Sequence, residues 1–216
     1  IAPVQPADQV KPQSFLSTLR ILKNDRTLIL FTGGSLLSTI VHGRFTLYLS
    51  QFLLVTHAQQ DALHILSAVL ACNAVTVMLM QYQIGRFLKR EQLGGWICVG
   101  VGLFVIGLTG FSFSHNMLMW CIAMFIFTLG EMIIYPAEYL FVDTIAPEAL
   151  RGSYYGAQNL AAFGGALSPV ICGYLLINTP PATMFYVLAG LTTLGGGLCF
   201  ISARRVTQGP VTVAGH

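Results

Sequence analysis

The sequence predicts an all-α integral membrane protein of six transmembrane helices, and three observations carry that reading. Charged residues make up 9% of the 216-residue chain and hydrophobic ones 55%, against about 25% charged in a soluble domain. The mean hydropathy is +0.71, and a chain this short cannot hide that much apolar surface in one aqueous core. Apolar runs near the bilayer-spanning length of about 20 residues recur at 28–54, 62–84, 93–113, 117–139, 154–177 and 184–201.

Before the first span, "IAPVQPADQVKPQSF" has neither an initiator Met nor the basic-then-apolar layout of a signal peptide. It reads as the interior of a longer polypeptide. Residues 1–27 are expected to form a cytoplasmic linker. Within it "SFLSTLRILKND" sets Phe15, Leu16, Leu19 and Leu22 at helical spacing behind a capping Ser, a short amphipathic helix for the membrane surface. Residues 28–201 form the bundle, and 202–216, without periodicity, a cytoplasmic tail.

Orientation follows from the loops. "VTHAQQD", "SHN" and "NTPPAT" hold no Lys or Arg. Lys11, Arg20, Lys23, Arg26, Arg86, Lys89, Arg90, Arg151, Arg204 and Arg205, ten of the eleven basic residues, fall on the opposite side. That side is cytoplasmic by the positive-inside rule, and both termini lie there.

The spans differ in polarity. Spans one and four carry charge: His42 and Arg44, then Glu131 and Glu138. Spans two and five carry amides: Asn73, Gln81 and Gln83, then Gln158 and Asn159. Spans three and six carry no charge and are expected to meet lipid all round. The order charged, amide, apolar occurs twice, which implies two three-helix units. An odd number of spans makes the units inverted in the membrane, a transporter signature with sites near the midplane.

On span one, Ser35, Ser38, Thr39, His42 and Thr46 share a helical face suited to water, whereas Arg44 lies about 200° from His42, with Tyr48 and Gln51. Glu131 and Glu138, seven apart, share a face of span four. A carboxylate at membrane depth costs several kcal/mol unless it is paired, hydrated or protonated. Two readings stay open for Glu131: exchange of a proton or contact with a substrate, and a fixed ion pair with Arg44 or other tie between helices. Glu138 sits nearer the inner interface. Span five is dense in small residues; Gly152-xxx-Gly156 suits close helix approach, and Pro169 is a candidate kink.

Other chemistries find little here. The five cysteines lie in apolar stretches without CxxC spacing, so they read as buried thiols, and no metal or cofactor motif appears. No soluble element gathers Lys and Arg for nucleic acid. The chain lacks Gly-x-Ser-x-Gly and His-Glu-x-x-His, so no enzyme is expected.

"QIGRFLKR", with Gly85, Arg86, Lys89 and Arg90, resembles the degenerate second copy of the Gly-x-x-x-Asp-Arg-x-Gly-Arg-Arg loop of the major facilitator superfamily, without its acidic position. "DTIAPEALRGSYYGAQNL" resembles the span 10–11 connection of that superfamily, and "GEMIIYPAEYLFVDTIAPE" and "MQYQIGR" look like bacterial dipeptide and drug exporters within it. The resemblance implies spans 7 to 12, the C-terminal half of such a protein in a bacterial inner membrane. The partner is then the N-terminal six-helix half of the same polypeptide, or in the alternative reading a second copy forming a homodimer, or an accessory role. It implies proton-driven efflux of small amphipathic molecules by alternating access.

On this basis Glu131, His42, Arg44 and Glu138 are candidates for proton coupling or substrate binding. Ser38, Phe45, Tyr48, Asn73, Gln158 and Asn159 are expected to line the cavity. Gly85, Arg86, Lys89, Arg90, Asp143, Arg151 and Gly152 are expected at a cytoplasmic gate, with Asp143 in reach of Arg86 and Arg151.

Overall fold

A computed structural model describes residues 23–208; the linker helix expected before Leu22 and the end of the tail lie outside them. Among the described residues the fold is all helical. Span one is α1 (Arg26–His42) and α2 (Phe45–Thr56), span two α3 (Gln59–Phe87), span three α4 (Leu93–Ser112) and span four α5 (Met117–Ile145). Span five is α6 (Arg151–Gln158) and α7 (Ala162–Asn178), joined by a 3-10 turn at Asn159–Ala161, and span six is α8 (Thr183–Gln208). Five helices are long and apolar enough to cross a membrane, and the pair α1 and α2 makes a sixth when counted as one span.

Local sequence explains several boundaries. The Asp25 carboxylate accepts from the backbone N–H of Thr27 and Leu28 at 3.0 and 3.1 Å, capping α1. The Asn116 side chain accepts from Met119 N–H at 2.9 Å and does the same for α5. Tyr154 donates its hydroxyl to the other Asp25 oxygen at 2.8 Å, so the cap also ties the start of span one to span five.

Span one is not the single helix the hydropathy suggests. It breaks at Gly43 and Arg44, and the two pieces meet at 41°. At the break a Cβ on Gly43 would stand 2.6 Å from the Thr39 carbonyl oxygen of its own span and 3.2 Å from the Gly165 Cα, so spans one and five pass close to each other here. Span five breaks at Asn159–Ala161, upstream of Pro169, which α7 accommodates in its interior.

Packing corrects the view of spans three and six. Helices α4 and α8 lie against each other, α4 also packs on α5 and α8 on α1. Phe104, Leu108 and Phe111 on α4 and Met184, Phe185 and Leu188 on α8 are fully or almost fully buried. Absence of charge says nothing about which face meets lipid, because a helix–helix interface in a membrane is as apolar as the tails. A Cβ on Gly34 or on Gly195 would meet the other's carbonyl oxygen at 2.6 Å, so α1 and α8 touch backbone to backbone. Rings fill the centre: Phe31 stacks on Phe141 at 3.9 Å, and Phe104 and Phe111 pack on Phe127 and Trp120. Span two is the exposed one, with 11% of its apolar window buried against 50% for span four; Met78, Leu79 and Tyr82 stand outward.

Candidate functional site

Glu131 and Glu138 sit on α5 seven residues apart, about 10 Å along the axis, with Pro136 between them. Each meets an amide from a different neighbour. Asn73 on α3 donates to Glu131 Oε2 at 3.4 Å and to Thr128 Oγ1 at 3.0 Å. Thr128 returns its own proton to the Met124 carbonyl at 2.8 Å. Glu131 stays partly exposed.

Glu138 is buried, as is Gln158. Gln158 Nε2 lies 3.5 Å from Glu138 Oε2, and its Oε1 accepts from the Thr32 hydroxyl at 3.3 Å. Here the end of α6 reaches both α5 and α1. The break in span five produces this arrangement, since Gln158 is the last residue of α6 and Asn159 begins the turn.

Beside Glu138 opens a cavity of about 100 Å³ lined by Thr39, His42, Tyr135, Glu138, Tyr139, Gln158, Asn159, Ala161 and Ala162. Tyr135, Tyr139 and Asn159 are exposed, so the cavity opens past them. His42 is buried against Phe104, parallel at 5.6 Å, and Tyr135, edge-on at 4.8 Å. The structure thus brings His42, Glu138, Gln158 and Asn159 together and sets Glu131 with Asn73 apart from them.

Other expected residues fall elsewhere. Arg44 is exposed beyond the break and forms no ion pair with either glutamate. Of the ties between helices expected for Glu131, the one present among the described residues is the amide of Asn73. Ser38 is buried, with no protein partner for its hydroxyl. Tyr48 is fully buried in the apolar core, and Phe45 packs partly buried on Phe127 at 5.7 Å.

The family model of the Major Facilitator Superfamily matches residues 2–169, well over half of the chain. The chain belongs to the Major Facilitator Superfamily. It is 37% identical over 171 residues to the uncharacterized MFS-type transporter YdeE of Escherichia coli (strain K12), covering 79% of this chain and 43% of that protein. To the MFS-type transporter YqjV of Bacillus subtilis (strain 168) it is 26% identical over 197 residues, 90% of this chain and 47% of the relative. A Na(+), Li(+), K(+)/H(+) antiporter of Planococcus maritimus is 23% identical over 163 residues, 69% and 38% of the two chains. The chain spans less than half the length of the curated relatives it matches.

At the end of α5 the superfamily member gathers its surface charges. Asp143 pairs with Arg90, and its Oδ1 lies 3.2 Å from Arg151 Nε. Tyr155 donates to the same oxygen at 3.4 Å. Arg86 is not the partner expected for Asp143; its guanidinium lies over the Tyr82 ring at 5.7 Å. Helix α3 ends at Phe87, so Arg86 stays on its own helix, whereas the 3-10 turn at Arg90–Gln92 swings Arg90 toward α5. Lys89 and Gly85 are exposed. Gly152 and Gly156 have nothing within 4 Å of a Cβ and mediate no close approach within the described residues. Gly164 is the tight position of span five, where a Cβ would meet the Leu36 carbonyl at 2.2 Å.

Proposed function

We propose that the chain is the C-terminal six-helix half of a proton-coupled secondary transporter that exports small amphipathic molecules, drugs or dipeptides, by alternating access. Residues 28–201 form two inverted three-helix units, 1–27 the linker to the other half and 202–216 a tail. Both ends lie on the cytoplasmic side of a bacterial inner membrane. The packing supports the repeat. Exchanging spans one, two and three for four, five and six converts the α4–α5 contact into α8–α1 and α3–α5 into α7–α1, and leaves α4–α8 unchanged. Three spans per unit put the two-fold axis in the membrane plane. The one-sided Lys and Arg distribution supports the orientation.

The observation that carries the transport reading is the pair of intramembrane carboxylates, each held by an amide of a neighbouring span. Acids at membrane depth that face other helices mark ion or substrate paths, and amides from spans two and five let the state of either acid bias helix positions. Glu131, the more open of the two, exchanges a proton or holds the positive group of a substrate. The cation–proton exchange named for the Planococcus relative supports coupling to protons. Asp143 with Arg90 and Arg151 forms a cytoplasmic latch.

The test is transport of ethidium and of labelled dialanine in vesicles holding the polypeptide that carries this sequence, under an imposed pH gradient. At least one probe is expected to move against its gradient. Glu131→Gln should lower that transport about tenfold or more, roughly 1.4 kcal/mol. If the variant keeps both the rate and its pH dependence, Glu131 has no part in the cycle.

A further inference from the structure

Away from the acids, the structure brings two thiols together. Cys72 on α3 donates its Sγ–H to the Cys121 carbonyl on α5 at 3.3 Å, and the Cys121 thiol has the Cys72 thiol beside it. Both cysteines are half-buried. They are 49 residues apart, so no spacing in the sequence announces the pair. Among the described residues no other cysteine has a second one as an interaction partner. Cys199 meets Ser35 and the Phe31 carbonyl, Cys172 meets Ser168, and Cys98 stands exposed on α4. A thiol is a weak hydrogen-bond donor, and span two is the least covered of the single-helix spans. A reagent dissolved in the bilayer therefore reaches two sulfurs that are held only loosely.

We propose that Cys72 and Cys121 form a dithiol site for a neutral trivalent organoarsenical, with one arsenic atom bridging span two to span four. In the step, an organoarsenic oxide condenses with both thiols. Two arsenic–sulfur bonds form, the arsenic–oxygen double bond breaks, and the two thiol protons leave with the oxygen as one water. Arsenic stays trivalent, so no oxidant or reductant takes part. Reactants and products are all neutral, which matters at membrane depth, where a charge is costly.

The geometry favours arsenic over the other chemistries open to two thiols. Disulfide formation needs an oxidant and sulfurs drawn to about 2.05 Å in a defined torsion. An arsenic atom instead sits between the sulfurs and asks only that each side chain turn about its Cα–Cβ bond. Among the described residues no group of three His, Cys, Asp or Glu side chains converges to cage a metal ion. That suits a centre which takes two protein ligands and brings its third group with it. Two bonds to one arsenic make the second intramolecular, so the pair holds it about 100-fold tighter than one thiol, or more. Asn73, next to Cys72 in the chain, donates to Glu131, so the bridge fixes span two against span four beside that acid. On the transport reading it arrests motion between them; the site itself does not depend on that reading.

The experiment treats the intact polypeptide in lipid vesicles with phenylarsine oxide. A mercaptoethanol wash then strips arsenic from single thiols, and mass spectrometry maps what remains. One phenylarsenic group linking the peptides of Cys72 and Cys121 is expected, released by dimercaptopropanol. Cys72→Ser and Cys121→Ser should each lower the wash-resistant arsenic about 100-fold, whereas Cys98→Ser, on the exposed thiol, should leave it unchanged. If Cys72→Ser fails to fold, Cys72→Ala and the wild-type peptide map carry the same test. Wash-resistant arsenic that is missing from wild type, or that persists in both single variants, overturns the site. Bridged wild type should also lose transport of the probe it moves and regain it with dimercaptopropanol. Undiminished transport by fully bridged protein overturns the arrest. A wild type that moves neither ethidium nor dialanine would instead remove the transport reading, and the arsenic map would still decide the site.

Discussion

Glu131 and Glu138 are the same residue, on the same helix, near the same helical face, yet they live in different places. Glu131 keeps contact with the outside and is held by one amide of span two, backed by the Thr128 hydroxyl. Glu138 is buried where spans one, four and five meet, and shares a cavity with a histidine that no protein group satisfies. Seven residues return the side chain to nearly the same angle but advance it by about 10 Å, enough to change neighbours. The lesson is that the spacing of two acids describes one helix, while their chemistry is set by what crosses it.

The largest effect that tests this contrast concerns the contact between spans one and five. Gly164 lets span five lie on the backbone of span one at Leu36, and span two has no counterpart of it beside Glu131. Gly164→Ala should lower thermal stability in detergent by about 3 kcal/mol, the upper part of the range for overpacking, whereas Gly156→Ala, with open space around it, should cost nothing measurable. Equal effects would break the claim that Gly164 is the tight position of span five.

A smaller difference should separate the two amides. Gln158→Leu strands the buried Glu138 and removes the acceptor of Thr32, which should cost about 1–3 kcal/mol. Asn73→Leu takes one long hydrogen bond from an acid that still reaches water, so about 0.5–1.5 kcal/mol is expected. Melting curves of the two variants in one detergent compare them directly. A larger loss for Asn73→Leu would reverse the assignment of the more confined acid.

The smallest effect belongs to the third acid of the helix. The partners of Asp143, Arg90 and Arg151, are about half exposed, and exposed pairs are worth about 0–1 kcal/mol. Asp143→Asn should leave the melting temperature nearly unchanged and alter the transport rate a few-fold, about what 1 kcal/mol allows between near-balanced states. Arg86→Gln should do less than Arg90→Gln, because Arg86 contacts Tyr82 instead.

Reading the linear chain settles the broad class for a simple reason: transfer of long apolar segments from water is a local, additive property. So the all-helical character of the described residues and the presence of acids within span four were legible. The motifs around Gly85 and Arg151 likewise pointed to a superfamily that the family match bears out. Helix neighbours were not legible. Spans three and six pack on other helices although they lack charge, and hydropathy gives the same value for a lipid face and a buried one. The break at Gly43 and Arg44 could not be seen either, since hydropathy runs unbroken through it; it lies where Gly43 passes close to Gly165, far away in sequence. His42 is buried and Arg44 exposed, and Arg90 replaces Arg86 at Asp143. Composition and periodicity therefore determined what kind of protein this is, whereas the meeting of His42, Glu138 and Gln158 was decided by tertiary structure alone. A membrane interior rewards any arrangement that hides polar groups from lipid, and which groups hide together depends on contacts between separate helices, from Glu138 and Gln158, 20 residues apart, to Thr32 and Gln158, 126 apart.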